Sequence, residues 1–233
     1  MTKGLAIVGT GKMGKLVEEL SPAFGLEVRA RFDAGNNRNA VGLTREALQQ
    51  VDVAIEFSTP ESAPENLLRL AALGIPAVSG TTGWYERLPA VRDAVLNGKT
   101  SLVWGPNFSV GMNVFFQVVA RAAALFAKHP DYAAWGWEIH HGAKQDAPSG
   151  TLKKLAEDIS TAGYLRPVNL SSNRAGAHPG THEIGFDSSG DTVLLRHTAR
   201  SREGFARGAL SASVWALARK GVFEFREIFG ELS

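Results

Sequence analysis

A short apolar run near the start of the chain leads directly into a glycine-rich turn and then into a helical pattern. The apolar run covers residues 4–8, the turn is GTGKMG at 9–14, and the residues after it place apolar side chains at helical spacing. Strand, glycine turn and helix in this order are the setting in which G-x-G-x-x-G binds a dinucleotide. Gly9 would form the turn, Gly11 would let a pyrophosphate approach the backbone, and Gly14 would let the helix pack on the strand.

The next apolar run ends in Asp33, about twenty residues after the glycine turn, where this fingerprint expects an acidic residue. A carboxylate there binds the ribose hydroxyls of the adenosine and repels a 2′-phosphate, which favours NADH over NADPH. Arg29 and Arg31 leave NADPH as an alternative cofactor, because a nearby guanidinium can bind that phosphate. Asp33 could also simply begin the turn that follows it.

Three further strands are predicted at 51–58, 75–79 and 101–104, with helical patterns between them. Thr59 and Pro60 are typical of a helix start. The alternation predicts an α/β fold with a Rossmann-type, doubly wound parallel sheet, whose ligands bind at the carboxyl ends of the strands. The candidate cofactor contacts at those ends are Gly9, Thr10, Gly11, Lys12, Met13, Gly14, Asp33, Phe57, Gly80, Thr81, Thr82, Asn107 and Phe108.

The pattern changes after residue 110. A long helix to about residue 127 leads into an aromatic, extended segment, then a loop containing Arg174 and His182, and then two antiparallel strands about a turn at 188–191. The last helical pattern is expected to pack on the first domain. The sequence therefore predicts a dinucleotide-binding domain of residues 1–108 and 204–233 and an α+β substrate domain of residues 109–203.

The stretch EIHHGAKQDAPSGT at 138–151 is the candidate centre of the chemistry. It places His140, His141 and Lys144 just before a helix start at Ser149, and helix N-termini carry unpaired N–H groups and partial positive charge. A histidine, whose side chain titrates near neutrality, the ammonium group of Lys144 and a helix N-terminus that can bind an anion therefore occur together. This combination suits a carboxylate ligand. Asp146 or Ser149 could instead be only a helix cap, and the two histidines could be structural. Adjacent strand residues face opposite sides, so His140 and His141 are not expected to share a metal.

Composition excludes several classes of function. The chain has no cysteine, which excludes disulfides and thiol chemistry and suits a reducing cytoplasm. The net charge is +2 and no Lys/Arg block suggests nucleic acid. The first residues lack the pattern of a signal peptide, and the apolar run 110–127 is interrupted by Asn113, Gln117 and Arg121, so we expect a buried helix, no membrane partner and a cytoplasmic location.

The motif EIHHGAKQDAPSGT, together with GTTG, NFSVG and RAGAHPGTH in that spacing, resembles the 4-hydroxy-tetrahydrodipicolinate (dihydrodipicolinate) reductase family of bacterial lysine and diaminopimelate synthesis. The resemblance covers nearly the whole chain. It implies a reductase that transfers a hydride from NADH or NADPH to a cyclic, imine-containing dicarboxylic acid. It also implies a homotetramer built through the sheet of the second domain.

By position, the resemblance implies that His140 is the catalytic acid and that Lys144 holds a substrate carboxylate and assists protonation. Substrate contacts implied in the same way are His141, Ser149, Gly150, Thr151 and Thr82, the last also touching the nicotinamide. Arg202 matches a basic position of the family. The glycine loop is one residue shorter than in many members, and Ala34 stands where members that accept NADPH often have arginine. Two rivals stay open, an amino-acid dehydrogenase of similar fold and a dinucleotide-binding sensor without turnover.

Overall fold

The computed structural model describes residues 2–232 and contains ten strands. The strands are β1 Lys3–Val8, β2 Leu26–Phe32, β3 Val53–Glu56, β4 Ala77–Ser79, β5 Ser101–Trp104, β6 Ala133–His140, β7 Val168–Arg174, β8 Thr181–Asp187, β9 Thr192–Thr198 and β10 Gly221–Glu224. The α-helices are α1 Lys12–Leu20, α2 Ala63–Ala72, α3 Leu88–Asn97, α4 Val110–Phe126, α5 Gly150–Thr161, α6 Glu203–Ala216 and α7 Phe225–Ile228. Short 3₁₀ helices lie at Ser21–Phe24, Arg38–Ala40, Tyr85–Arg87 and Phe229–Glu231.

The chain divides into two units. One contains Met1–Val110 and Glu203–Ser233, and the other contains Gly111–Arg202.

A six-stranded sheet in the order β10-β5-β4-β3-β1-β2 organises the first unit, and all of its strand pairs are parallel. Alternate residues of β1 face opposite sides: Leu5 and Ile7 pack in the cluster that contains α1 and α6, while Ala6 and Val8 pack in the cluster that contains α2 and α3. Helices therefore cover both faces, as buried parallel sheets require. The predicted doubly wound α/β fold is confirmed.

The second unit is built on a four-stranded sheet in the order β7-β6-β8-β9, in which only β6 and β7 run parallel. Residues of α4, α5, β6 and β8 form its apolar core. Phe115 and Val119 of α4 and Leu155 and Ile159 of α5 pack in that core with Phe186 of β8. The unit is therefore an α+β layer structure in which helices cover the sheet.

Two local predictions were wrong. The helix expected at Thr59 begins at Ala63, because the Thr59 carbonyl accepts hydrogen bonds from the amides of Ser62 and Ala63 in a turn and Pro64 takes up the first turn of α2. The loop expected around Arg174 is strand β7 up to that residue. Its sequence VNLSSNR lacks an apolar pattern because it is an edge strand whose side chains are all exposed or half-buried.

Every helix among the described residues is too short or too polar to cross a bilayer.

The structure shows which glycines of the turn after β1 are required by packing. Gly9 has φ +101°, in the region that favours glycine, and a Cβ there would lie 2.1 Å from the Phe57 carbonyl oxygen. A Cβ on Gly14 would lie 2.0 Å from the Gly9 carbonyl oxygen. A Cβ on Gly11 would meet nothing within 4 Å. Gly9 and Gly14 are thus required by packing, whereas Gly11 borders open space.

We expect Gly14→Ala to lower the free energy of unfolding by about 2 kcal/mol or more, because the added methyl group overlaps backbone that cannot move freely. The matched control is Gly11→Ala, for which we expect a loss below about 1 kcal/mol, because the new methyl group meets no neighbour and only the N-cap preference for glycine is lost. Urea unfolding followed by circular dichroism measures both. Equal losses in the two variants would contradict the packing role of Gly14.

Candidate active site

Glu138 lies near the end of β6 and its side chain is fully buried. The carboxylate accepts hydrogen bonds from the Ser149 amide at 2.8 Å and the Ser149 hydroxyl, from the Ser172 hydroxyl at 2.9 Å, and from Nη2 of Arg174 at 2.9 Å. Nε2 of His182 lies 3.3 Å from Oε2. These partners converge because β6 pairs Glu138 with Ser172 on one side and with His182 on the other.

Burial alone would raise the pKa of Glu138. The hydrogen bonds from His182, Ser149 and Arg174 outweigh that effect and hold the pKa well below its usual range. Glu138 is therefore an ionised carboxylate at neutral pH, and it supplies a permanent negative charge inside the second unit.

His140 lies two residues after Glu138 on the same face of β6 and is 8% exposed. Its Nδ1 lies 3.6 Å from Oε2 of Glu138, and its ring meets that of His182 edge-on at 5.0 Å. Burial lowers the pKa of His140 to about 4, aided by the charges of His182, Lys144 and Arg174, while Glu138 acts in the opposite direction. The imidazole is thus neutral at pH 7 in the free protein.

Ser149 is the N-cap of α5, as its place in the sequence suggested. Its hydroxyl accepts a hydrogen bond from the Leu152 amide at 3.2 Å and donates one to Glu138. The same side chain therefore joins the start of the helix to the buried carboxylate. Because Ser149 is buried, the exposed groups at this helix N-terminus belong to Gly150 and the half-buried Thr151.

Lys144 follows β6 in a loop and donates to the Asp146 carboxylate at 2.7 Å. The other oxygen of Asp146 accepts from the Gly150 amide at 3.2 Å. The hydrogen bond from Lys144 lowers the pKa of Asp146. An internal carboxylate therefore bridges the ammonium group and the helix N-terminus, the two features that the sequence assigned to a carboxylate ligand. His141 lies next to these groups in the chain and is half-buried, while Arg202 is exposed.

In the first unit, the other candidate residues follow the carboxyl ends of the parallel strands. The glycine turn follows β1, Asp33 follows β2, Phe57 follows β3, Gly80–Thr82 follow β4, and Asn107 and Phe108 follow β5. Thr82 is exposed, whereas Phe108 and Thr81 are buried. Phe108 packs on the ring of Phe225, so its side chain belongs to the core.

Asp33 caps the turn that follows β2 and also faces the glycine turn. One of its oxygens accepts from the Gly35 amide at 2.8 Å, and the other accepts from the Thr10 hydroxyl at 3.2 Å. Arg29 pairs with Glu27 at 2.6 Å. Arg31 pairs with Glu18. The Nε of Arg31 donates to both carboxylate oxygens of Glu18 at 3.1 Å. Both guanidinium groups therefore have glutamate partners of their own.

Sequence reasoning did not identify Glu138, Ser172, Arg174 or His182 as site residues. One signal was available, because residues two apart on a strand share a face and Glu138 therefore had to lie beside His140. The contributions of β7 and β8 depend on strand register, which the sequence does not show locally.

Glu138, His140 and His182 could each offer one ligand atom to a metal ion, and these atoms lie within 4.8 Å of one another. The Glu138 oxygens, however, already accept bonds from two hydroxyls, an amide and the cationic Arg174. A second cation there would be repelled by that guanidinium, so the arrangement fits a hydrogen-bonded cluster better than a metal centre.

Comparison with known proteins places both halves of the chain in one family. A family model described as "Dihydrodipicolinate reductase, N-terminus" matches residues 3–108, and one described as "Dihydrodipicolinate reductase, C-terminus" matches residues 111–229. A 4-hydroxy-tetrahydrodipicolinate reductase from Christiangramia forsetii is 31% identical over 98% of this chain and 98% of its own length. One from Archaeoglobus fulgidus is 34% identical over 88% of this chain and 90% of its own length.

Solved structures agree on the fold. Dipicolinate-bound dihydrodipicolinate reductase from Paenisporosarcina sp. TG-14 superposes with a TM-score of 0.82 at 23% identity, covering 98% of this chain and 100% of that chain. An amine dehydrogenase from Mycobacterium smegmatis superposes with a TM-score of 0.63 at 11% identity, covering 97% of this chain and 96% of that chain. At these identities both comparisons describe the fold alone.

Proposed function

The chain belongs to the dihydrodipicolinate reductase family, and on that premise we propose that the first unit holds the nicotinamide cofactor while His140 and Lys144 of the second unit act on the substrate. The protein is an NAD(P)H-dependent oxidoreductase, and its reaction is the reduction of 4-hydroxy-tetrahydrodipicolinate in lysine and diaminopimelate biosynthesis. The observation that supports these roles is that Glu138 contacts Ser149 at the start of α5 and also lies beside His140.

The first unit suits a dinucleotide because its glycine turn leaves room for one. Gly11 is the N-cap of α1 and no side chain caps that helix, so the first amides of α1 can bind a pyrophosphate. When bound, the nicotinamide would supply the hydride.

The second unit suits a cyclic dicarboxylate. Lys144 and the N-terminus of α5 offer an ammonium group and a backbone amide, which already hold the carboxylate of Asp146. A substrate carboxylate would replace Asp146 there, with contacts from His141, Gly150 and Thr151. The Paenisporosarcina structure has dipicolinate bound, which supports a ligand of this class.

His140 would gain its proton when the substrate binds. In the free protein its pKa is about 4, because it is buried among cationic neighbours. A dianionic substrate would bring two carboxylates to the site where Asp146 now supplies one, and the added negative charge would raise the pKa of His140. The resulting imidazolium would donate its proton as hydride arrives, so it would stabilise the transition state more than the bound substrate.

We expect His140→Gln to lower kcat by about 100-fold or more, because it removes the proton donor. Lys144→Met should raise the KM for the substrate as well, because it removes the cation that binds a carboxylate. Steady-state oxidation of NADH with freshly prepared substrate measures both. Lys153→Met is the matched control, since Lys153 is an exposed lysine at the start of α5. Unchanged kcat in His140→Gln would refute the assignment of the proton donor to His140.

Proton uptake tests the charging step with the same variant. Calorimetric titration with pyridine-2,6-dicarboxylate at pH 7, in two buffers of different ionisation enthalpy, should show uptake of about one proton by the original protein. The same titration should show almost none with His140→Gln. Equal uptake by both proteins would show that another group takes the proton.

We propose that NADH is the preferred cofactor. Asp33 would repel a 2′-phosphate, and Arg29 and Arg31 are already paired with Glu27 and Glu18. Asp33→Ala should shift the ratio of kcat/KM for NADPH over NADH upward by about tenfold. Asp93→Ala, at an exposed position of α3, should leave the ratio unchanged. A comparable kcat/KM for both cofactors in the original protein would argue against the preference.

We also propose a homotetramer assembled through the second unit. That unit exposes Val114, Val118 and Leu125 on α4 and Val193 and Leu194 on β9, and Val114 and Val118 lie one turn apart on the same face of the helix. Light scattering should give about four times the 24.9 kDa of one chain. The mass of a single chain would exclude the assembly. The cytoplasmic location stays a prediction from the sequence.

A further inference from the structure

A second glutamate, Glu56, is fully buried at the end of β3 in the first unit. Its carboxylate accepts hydrogen bonds from the Ser58 amide at 2.8 Å and the Ser58 hydroxyl, from the Ser79 hydroxyl at 2.6 Å, and from the Thr81 hydroxyl at 3.0 Å. Ser58 lies in the loop after β3, and Thr81 lies in the loop after β4. One carboxylate therefore joins two adjacent loops at the carboxyl edge of the sheet.

The two loops are also joined directly, since the Thr81 hydroxyl accepts from the Ser58 amide at 2.9 Å. On the other side, Asn66 of α2 donates to the Ser58 hydroxyl at 3.3 Å and accepts from Asn37 at 2.9 Å. Asn37 follows β2, and its backbone N–H donates to the Asp33 carbonyl oxygen at 2.9 Å. A chain of hydrogen bonds thus runs from the loop of Asp33 to the loop of Thr81.

The sheet order shows which part of a dinucleotide each loop would meet. β2 and β4 are separated by β1 and β3, which at roughly 4.8 Å per strand places their ends about 14 Å apart. Asp33 follows β2 at the adenosine side, so the loops after β3 and β4 lie toward the nicotinamide end. Thr82, the exposed candidate contact, directly follows Thr81, whose side chain is held by Glu56.

Stability alone does not explain a carboxylate at this position. Removing a charged group from water is costly, and a well-packed apolar side chain is often at least as stable in such a place. Among the described groups around Glu56, the donors are hydroxyls and an amide, and burial raises the pKa of Glu56 in spite of their hydrogen bonds. The bonds therefore hold loops together rather than pair a charge with a cation. Such an arrangement is suited to setting loop geometry.

We infer that Glu56 is a positioning residue for the nicotinamide end of the cofactor, acting by holding the loops 57–59 and 80–82 in one arrangement. The inference rests on the proposed function, since it takes the first unit to bind NAD(P)H. Glu56 does not itself reach the cofactor; it acts through Thr81 and the backbone beside it.

The test compares two ligands with the intact protein. NADH contains the nicotinamide, whereas ADP-ribose contains only the part that the glycine turn and Asp33 would bind. Glu56→Gln replaces one of the two acceptor oxygens with an NH₂ group, so at least one of the donors from Ser58, Ser79 and Thr81 loses its acceptor. We expect calorimetry to show NADH binding weakened by about tenfold and ADP-ribose binding by less than about twofold. The matched control Glu61→Gln changes an exposed glutamate five residues further on and should change neither.

Steady-state kinetics adds a readout that a purely structural role would not alter selectively. Glu56→Gln should lower kcat about tenfold at saturating NADH, because a misplaced nicotinamide transfers its hydride less often. If Glu56→Gln does not fold, Thr81→Val replaces it in the test, since it keeps the side-chain shape and removes one hydroxyl. We expect Thr81→Val to weaken NADH binding more than ADP-ribose binding. Equal weakening of both ligands, or a lower melting temperature with unchanged NADH binding and kcat, would overturn the inference. The ligand comparison needs no substrate, so an original protein that binds NADH without reducing 4-hydroxy-tetrahydrodipicolinate would refute the proposed function and leave this test intact.

Discussion

A carboxylate that is removed from water is stable only when donors surround it, and this requirement organises both units of the protein. Glu138 is surrounded by groups from β7, β8 and the start of α5, and Glu56 by groups from the loops after β3 and β4. Each glutamate lies near the carboxyl end of its strand. Because every donor must be placed within hydrogen-bond distance, each buried carboxyl group fixes the geometry of the loops around it.

The consequences for chemistry are clearest in the second unit. The same Glu138 carboxylate that accepts from Ser149 at the start of α5 also lies beside the His140 ring. Its charge partly offsets the effect of His182, Lys144 and Arg174 on the pKa of that imidazole. Glu138 therefore contacts both the start of α5, where a carboxylate would bind, and His140, the candidate proton donor. The charge of a carboxylate bound beside Lys144 would then act on the His140 imidazole as well.

Several features were predictable because their causes are local. The glycine turn, the Rossmann-type sheet and the Ser149 cap of α5 follow from spacing, alternation and capping preference over a few residues. The start of α2 was misplaced because Thr59 and Pro60 form a turn that resembles a helix cap in sequence. Strand β7 was missed because its ladder with β6, rather than apolar burial, makes it a strand.

By itself the sequence determined the fold class, the alternation of strands and helices as far as β5, and the motif that carries His140 and Lys144, because these depend on short-range patterns and on residue chemistry. Only the tertiary structure decided which side chains surround that motif. Ser172 and His182 reach Glu138 through the register of β7 and β8 on β6, and Asn37 reaches Ser58 through Asn66 on α2. Register and packing join residues far apart in the chain, so no local pattern records them.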